Sequence, residues 1–373
     1  MLPILFLSSL FEAFSMINLQ ELSLTRNRYL TDFVLNLFLQ SAPNLLRLDI
    51  SFCSLTKTNY KSNPAANLTS STALGSSTAM LTIENLRAQL AKMPKLVGLN
   101  LSGIDLFNRD TSLLSSLIVD LDQLEEIGLA SLPTLNVESV RLILSKLTNL
   151  TSIDLTGSIQ VDDLNLKSVE YILEAVESQT RLARLKLNKA KINEPERFLK
   201  QMSRLTLLTH LDLSCVTFRR SFESQTSLRQ YVERFAHNLS QCRAMECLVL
   251  SYCDFLVNDT FVKVVAPRLP NLKHLDLRNC TQITDQSLHC ISTHLTELVH
   301  LDISWCQNIS DHGLDASVEY SKDKRALQEF NKHLNGSCRC MRRYTEQPFL
   351  LLKTKAELAL EMKQVGTRYY PLR

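Results

Sequence analysis

An α/β solenoid, with a parallel β-sheet on its concave face and helices on its convex face, is the architecture the sequence predicts, and three observations predict it. A six-residue apolar pattern recurs ten times along the 373 residues. Most copies stand 26–28 residues apart, which leaves room for a helix between strands. Helix-starting Thr–Asp pairs and helix-stopping prolines recur at matching places in the period.

The pattern is L-x-x-L-x-L. Its copies start at Leu19, Leu45, Leu96, Leu124, Leu150, Leu182, Leu208, Met245, Leu272 and Leu298. Such a period is the mark of a leucine-rich-repeat solenoid, whose expected shape is a horseshoe. The end of each motif alternates with period two, so it reads as a short strand. Its leucines point into the solenoid and the residues between them onto the concave face. In the ninth copy Thr284–Asp285 opens a helix that places Leu288, Ile291 and Leu295 against the core. The first copy offers Thr31–Asp32 followed by Phe33 and Leu37. Pro43, Pro94 and Pro270 then stop the helix ahead of the next strand. One unit cannot bury its apolar face alone; stacked units can, at roughly 1.5–3 kcal/mol per buried leucine.

The solenoid is assigned to residues 1–314. Leu45 and Leu96 are 51 residues apart, and the surplus falls in a Ser/Thr/Asn/Ala-rich stretch, about 56–80, read as a flexible insert. Leu208 and Met245 are 37 apart, so the segment containing FRRSFESQTSLRQYVERF lengthens that repeat. Residues 315–373 form a helical C-terminal cap and basic tail, with helical stretches expected around 315–334 and 351–365. That tail carries 12 Lys/Arg against 7 Asp/Glu, whereas the whole chain is only +3. Leu2, Leu5, Phe6, Leu10 and Phe14 read as the helix of a preceding unit, so the chain is expected to begin inside a longer array. The same stretch resembles the apolar part of a signal peptide, but it lacks a basic leader and carries Glu12.

The cysteines follow the repeat. Cys53, Cys253, Cys280 and Cys306 each lie eight residues after their repeat's first apolar position; Cys215 falls one residue short, and Asn27 fills the slot in the first copy. The slot suits a small side chain able to hydrogen-bond the turning backbone. Buried thiols in a reducing compartment are the expectation. Cys242, Cys247 and Cys290 fall outside the slot, with Cys247 on the concave face, and Cys338-Arg-Cys340 is too sparse a pair for a metal site.

The eighth to tenth copies read MECLVLSYCDFLVNDTF, LKHLDLRNCTQITDQSL and LVHLDISWCQNISDHGL. This L-x-x-L-x-L-x-x-C-x-x-I-[ST]-D-x-x-L form resembles the cysteine-containing repeats of the F-box/leucine-rich-repeat family over residues 245–314, and more loosely over 19–240. The resemblance implies a target receptor of an SCF-type ubiquitin ligase, in which an N-terminal F-box docks the cullin adaptor. Eighteen residues precede Leu19, too few for an F-box, and none stands elsewhere in the chain. Only the target-binding half is therefore implied, with a cullin-ligase adaptor as partner if an F-box lies upstream.

Concave positions follow from the frame. One column holds Asp49, Asp154, Asp212, Asp276 and Asp302, interrupted by Lys186; the column before it holds Arg47, Arg184, His210, His274 and His300. Phe52, Tyr252 and Trp305, the chain's single tryptophan, stand at the mouth of the turn. Aromatic and Arg side chains are the usual interface anchors. The candidate partner-binding residues are Tyr252, His274, Asp276, Arg278, His300, Asp302 and Trp305. The Asp column admits two readings: repeat consensus paired to its surroundings, or an acidic, imidazole-flanked groove for a basic partner.

The expected function is protein–protein interaction, with SCF target recognition as the specific reading and a scaffold or inhibitor without a ubiquitin role as the alternative. His300-x-Asp302-x-Ser304 and His210-x-Asp212-x-Ser214 have a triad's composition. Along a strand, however, i and i+2 stand about 6.6–6.8 Å apart, too far for triad hydrogen bonds. No phosphate-binding Gly-rich loop or His-Glu-x-x-His is present. No catalysis, cofactor or metal is expected. The near-zero charge argues against nucleic acid, and no stretch reaches the roughly 20 apolar residues of a membrane helix. The expected location is the cytoplasm, with the nucleus as an addition.

Overall fold

The computed structural model describes residues 16–56, 81–158 and 181–310, apart from 110, 119, 133, 134, 136 and 219–223, together with 173, 174, 176, 313, 351 and 352. The N-terminal helix expected over the first residues, the insert from 57 to 80, and nearly all of the tail lie outside the described residues. The chain divides into two compact units, Met1–Lys167 with Ser178–Leu182, and Ser168–Glu177 with Ala183–Arg373.

In the first unit each apolar motif ends in a three-residue strand: β1 (Glu21–Ser23), β2 (Arg47–Asp49), β3 (Gly98–Asn100), β4 (Glu126–Gly128) and β5 (Ser152–Asp154). They pair in parallel in sequence order, and the central apolar residues Leu22, Leu48, Leu99, Ile127 and Ile153 stand opposite one another. Leu48, Leu99, Ile127 and Ile153 are buried. Behind the strands lie α1 (Asp32–Ser41), α2 (Ile83–Leu90), α3 (Asp105–Arg109), α4 (Thr111–Ile118) and α5 (Val137–Lys146). Thr31 caps α1 by accepting the Val34 N–H. Its core face is Leu35 and Leu39, whereas Phe33 is exposed and Leu37 half-buried. The expectation of Phe33 and Leu37 was two residues out of frame. Counted from the cap, Leu35 is the equivalent of Leu288 after Thr284, and that offset sets the buried face.

The long second repeat closes around its insert. Leu55–Thr56 pairs in parallel with Leu81–Thr82, so Thr56, taken as the start of the insert, belongs to a strand. Thr82 then caps α2, and its own N–H and Oγ1 donate to Asp32 at 2.8 and 2.7 Å. The repeat resumes where the ladder needs it.

The second unit repeats the scheme with β6 (Arg184–Lys186), β7 (His210–Asp212), β8 (Cys247–Val249), β9 (His274–Asp276) and β10 (His300–Asp302), again parallel and in order. Its helices are α6 (Pro195–Met202), α7 (Gln225–Leu239), α8 (Asp259–Val265) and α9 (Asp285–His294). The 15-residue α7 accounts for the long step before Met245. It brings Tyr231 and Phe235 into an aromatic core with Phe198, Phe218 and Phe261. Antiparallel pairing of Leu351–Leu352 with β10 covers the far edge of this sheet. A helix was expected from 351; the pairing needs extended backbone there, and an exposed parallel edge offers the hydrogen-bonding partners.

Candidate recognition face

Each repeat ends its strand in the same way. Seven residues after the first apolar position the backbone turns left-handed in all ten repeats, at Arg26, Phe52, Gly103, Ser131, Gly157, Lys189, Cys215, Tyr252, Asn279 and Trp305, with φ between 55° and 67°. The N–H of this residue reaches the next repeat: Phe52 donates to Ser102 O, Tyr252 to Arg278 O and Asn279 to Ser304 O, each at 2.8 Å. The left-handed turn thus extends the ladder by one rung, which is why residues other than glycine are held in it.

The carboxylates of the Asp column shape the same turn. The Oδ1 atoms of Asp49, Asp212, Asp276 and Asp302 accept the N–H two residues on, at 2.8–2.9 Å, and Asp154 does so at 3.0 Å. Asn100 plays the same part toward Ser102. These are Asx turns, which release the chain from the strand. Asp276 and Asp302 are buried, and the Arg278 guanidinium lies between them, Nη2 3.1 Å from Asp276 and Nε 3.2 Å from Asp302. An acidic groove over these last repeats is therefore not what the side chains form: two of its acids are inside and share a cation.

The slot cysteines complete the turn from below. Cys53, Cys253, Cys280 and Cys306 donate their S–H to Leu24, Leu213, Leu250 and Leu277 carbonyls, at 3.0, 3.0, 3.3 and 3.2 Å. Each acceptor belongs to the preceding repeat. Ser158 fills the slot in the fifth repeat and donates to Leu129 O. Asn27, in the first, is exposed and accepts from Tyr29 N instead. Cys215 holds the left-handed position, leaving Val216 in the slot. Burial pushes the Cys253 and Cys306 thiols up to about 12, and Cys242 and Cys247 up to about 11. A protonated, buried thiol is a poor nucleophile.

The candidates gather on the face of β8–β10. His274 and His300 stand opposite each other in the ladder, their rings stacked with centroids 4.1 Å apart and an 8° interplanar angle. Burial lowers the His274 pKa, against a raising influence from Asp276 and Asp302. Cys247 stands in register with His210 and His274, as expected for the open face. Tyr252 and Trp305 flank Asn279 at the turn, each 49% exposed. The frame identified both aromatic positions, but their left-handed backbone could not be read from it: only Gly103 and Gly157 carry the usual residue.

The triad-like sequences do not assemble. Asp212 Oδ1 takes the Ser214 N–H and hydroxyl, at 2.8 and 2.5 Å, and His210 Nδ1 lies 2.9 Å from Thr209 Oγ1. His300 stacks on its neighbour, and Asp302 serves Ser304 N and Arg278. Among the described residues no group of three or more His, Cys, Asp or Glu could hold a metal. No described helix is long and apolar enough to cross a membrane.

A family model described as "Leucine Rich repeat" matches residues 268–292 and 292–316. Among solved structures, the chain is similar to the leucine-rich-repeat-containing protein LegL7 from Legionella pneumophila, at 16% identity and a TM-score of 0.49 over 84% of this chain and 94% of that one. It is also similar to a chain of the Rad7 and Elc1 complex in yeast, at 18% identity and 0.42 over 85% and 68%. Internalin C2 from Listeria monocytogenes follows, at 16% and 0.36 over 72% and 83%.

Proposed function

We propose that this chain is a leucine-rich-repeat protein-interaction module that captures its protein target on the face of β8–β10, with Tyr252 and Trp305 as anchors beside the His274–His300 pair. One observation carries the reading: of the three large aromatic rings half-exposed on left-handed backbone, Phe52, Tyr252 and Trp305, two stand on the same face of the second unit, either side of Asn279. That conformation costs a side-chain-bearing residue about 1–2 kcal/mol, and glycine avoids the cost. A half-exposed ring recovers little of it by burial within its own chain. Burial against a partner recovers more, and Tyr and Trp are the residues that most often dominate interfaces. Asp276, Arg278 and Asp302 support the surface from within, with 29% of the Arg278 side chain exposed.

The test replaces both anchors with the residue the backbone prefers. Trp305→Gly with Tyr252→Gly is expected to fold, with stability unchanged or up to about 1 kcal/mol higher. Proteins enriched by the parent chain and identified by quantitative mass spectrometry are expected to be lost. Retention of the same set by a folded double variant removes this surface.

Within this reading, the target is a substrate of an SCF-type ubiquitin ligase. Its support is the cysteine-slot form of residues 245–314, and the adaptor would be engaged by sequence other than that described. A scaffold or inhibitor without a ubiquitin role is the second reading. Co-purification of a cullin adaptor with the full natural chain from cells separates them; its absence sinks the ligase reading and leaves target capture standing. A cytoplasmic or nuclear location, where thiols stay reduced, belongs to the same proposal.

A further inference from the structure

The left-handed column of the second unit runs Lys189, Cys215, Tyr252, Asn279 and Trp305, one residue per repeat. Lys189 donates its N–H to Ser214 O at 2.8 Å and Cys215 to Ser251 O at 2.9 Å, as Tyr252 and Asn279 do to their own next repeats, so the column keeps the spacing of the ladder. At about 4.8 Å a rung, Tyr252 and Trp305 stand roughly 9.6 Å apart, with Lys189 the same two rungs before Tyr252. The first unit has an aromatic in this column too, but Phe52 lays its ring over the Gly103 turn and holds the Arg26 guanidinium 5.8 Å from its centroid. In the second unit the place between the two rings is held by the short Asn279 side chain.

Two of these side chains are uncommitted. Among the described residues neither the Asn279 carboxamide nor the exposed Lys189 ammonium has a hydrogen-bond or ion-pair partner. The spacing of the rings then selects among backbones. A polyproline II helix rises about 3.1 Å per residue and turns every three, so its residues i and i+3 share a face roughly 9.3 Å apart. An extended strand puts i and i+2 about 6.6–6.8 Å apart and turns i+3 to its other face. An α-helix offers i and i+7 at about 10.5 Å, but its interior carbonyls are already bonded and leave Asn279 nothing to donate to. The carbonyls of polyproline II have no internal donor.

We propose that Tyr252, Asn279 and Trp305 receive a polyproline II segment of the protein target, with the prolines of a Pro-x-x-Pro spacing on the two rings and an acidic residue one turn further on, over Lys189. The proposal rests on target capture by Tyr252 and Trp305 and names the chemistry of what they capture. Proline-rich segments dock on aromatic-lined surfaces because their conformation is set before binding, so little entropy is lost on a shallow rim. The Asn279 carboxamide donates to a carbonyl between the two prolines. Charge complementarity places the acid at Lys189, and the segment runs across the strands, along the column.

Trp305 is the chain's single tryptophan, so its emission reads the site directly. The experiment titrates the full chain with a proline–alanine peptide that holds one Pro-x-x-Pro and carries a glutamate three places outside each proline, which serves either chain direction. A saturable blue shift is expected as the ring loses water. One alanine inserted between the prolines weakens binding at least tenfold, because the second proline leaves the shared face. Lysine in place of both glutamates weakens it several-fold, a difference that fades as salt shortens the screening length. Tyr252→Gly and Asn279→Gly suit the left-handed backbone and each weaken binding at least fivefold with unchanged circular dichroism; Lys189→Glu reverses the preference for glutamate over lysine. No saturable shift, indifference to the inserted alanine or to these substitutions, or tighter binding of a helical peptide with leucines at i and i+7 each overturns the proposal. If the captured proteins are still lost from the double glycine variant, such a result leaves Tyr252 and Trp305 standing as anchors for a ligand of another form.

Discussion

The Cys280 thiol donates to the Leu250 carbonyl one repeat away, and the same bond recurs from Cys53, Cys253 and Cys306. Buried carbonyls left without a donor cost about 1–3 kcal/mol. Cys280→Val keeps the volume and loses the donor, so it is expected to destabilise by about 1–3 kcal/mol in urea titrations. Cys280→Ser keeps a donor, as Ser158 does toward Leu129, and is expected to cost less. Equal losses from the two would show that the slot is about volume alone. This slot was legible because cysteine and its spacing repeat. The left-handed column one residue earlier was not, because Arg, Phe, Ser, Lys, Cys, Tyr, Asn and Trp occupy eight of its ten places. The ladder bond to the next repeat, rather than residue preference, sets φ there.

Between helices, the Asp that opens one repeat's helix holds the cap residue of the next. Asp259 accepts Thr284 N and Oγ1 at 2.9 and 2.8 Å and Ser287 Oγ at 2.5 Å; Asp32 does the same for Thr82, and Asp285 for Ser310. Burial pushes the Asp259 carboxyl up, but the bonds from Ser287 and Thr284 outweigh it and leave the pKa lowered. Asp259→Ala removes an acidic first-turn residue and three bonds, so a loss of about 2–4 kcal/mol is expected, read by thermal unfolding. The carboxylate's contribution is present above its ordinary 3.8 and fades as pH falls below that. A second pH window lies higher. Burial lowers the His210 and His274 imidazoles from 6.5. The unfolded chain then binds more protons just below 6.5, so stability is complete above that value and declines as pH falls through it. Urea midpoints are expected to drop between about pH 7.5 and pH 5.5. His274→Gln should flatten that dependence, and an unchanged slope would place its origin elsewhere. The Ser/Thr–Asp ladder could be read from the motif. The face of α1 could not be read from i, i+4 spacing alone, because Phe33–Leu37 and Leu35–Leu39 satisfy it equally, and only the distance from the cap separates them.

Over the whole chain the strand order followed from the period, yet the two surfaces it creates differ for reasons the period hides. Acids at the same column position are buried about Arg278 in one unit and line a recess in the other, because Gly98 and Gly128 clear space that larger residues fill elsewhere. In one dimension those glycines are merely poor strand formers; in the sheet they stand diagonally on adjacent strands, two residues out of register. Each unit also has its own buried leucine stack, through Leu99 in the first and Leu275 in the second. In repeat proteins stability is carried locally, by each repeat and its neighbours. The single tryptophan, Trp305, belongs to the second unit, so its fluorescence reports that unit while circular dichroism reports both. Two dichroism transitions are expected in urea, only one of them coinciding with the fluorescence change. Leu99→Ala and Leu275→Ala each remove about 2–5 kcal/mol from a close-packed core. The first should lower one dichroism midpoint and leave the fluorescence midpoint in place. The second should lower the fluorescence midpoint and the transition that coincides with it. Were Leu99→Ala to move the fluorescence midpoint as far as Leu275→Ala does, the ten repeats would unfold as one cooperative body, and the separate surfaces would share a single stability.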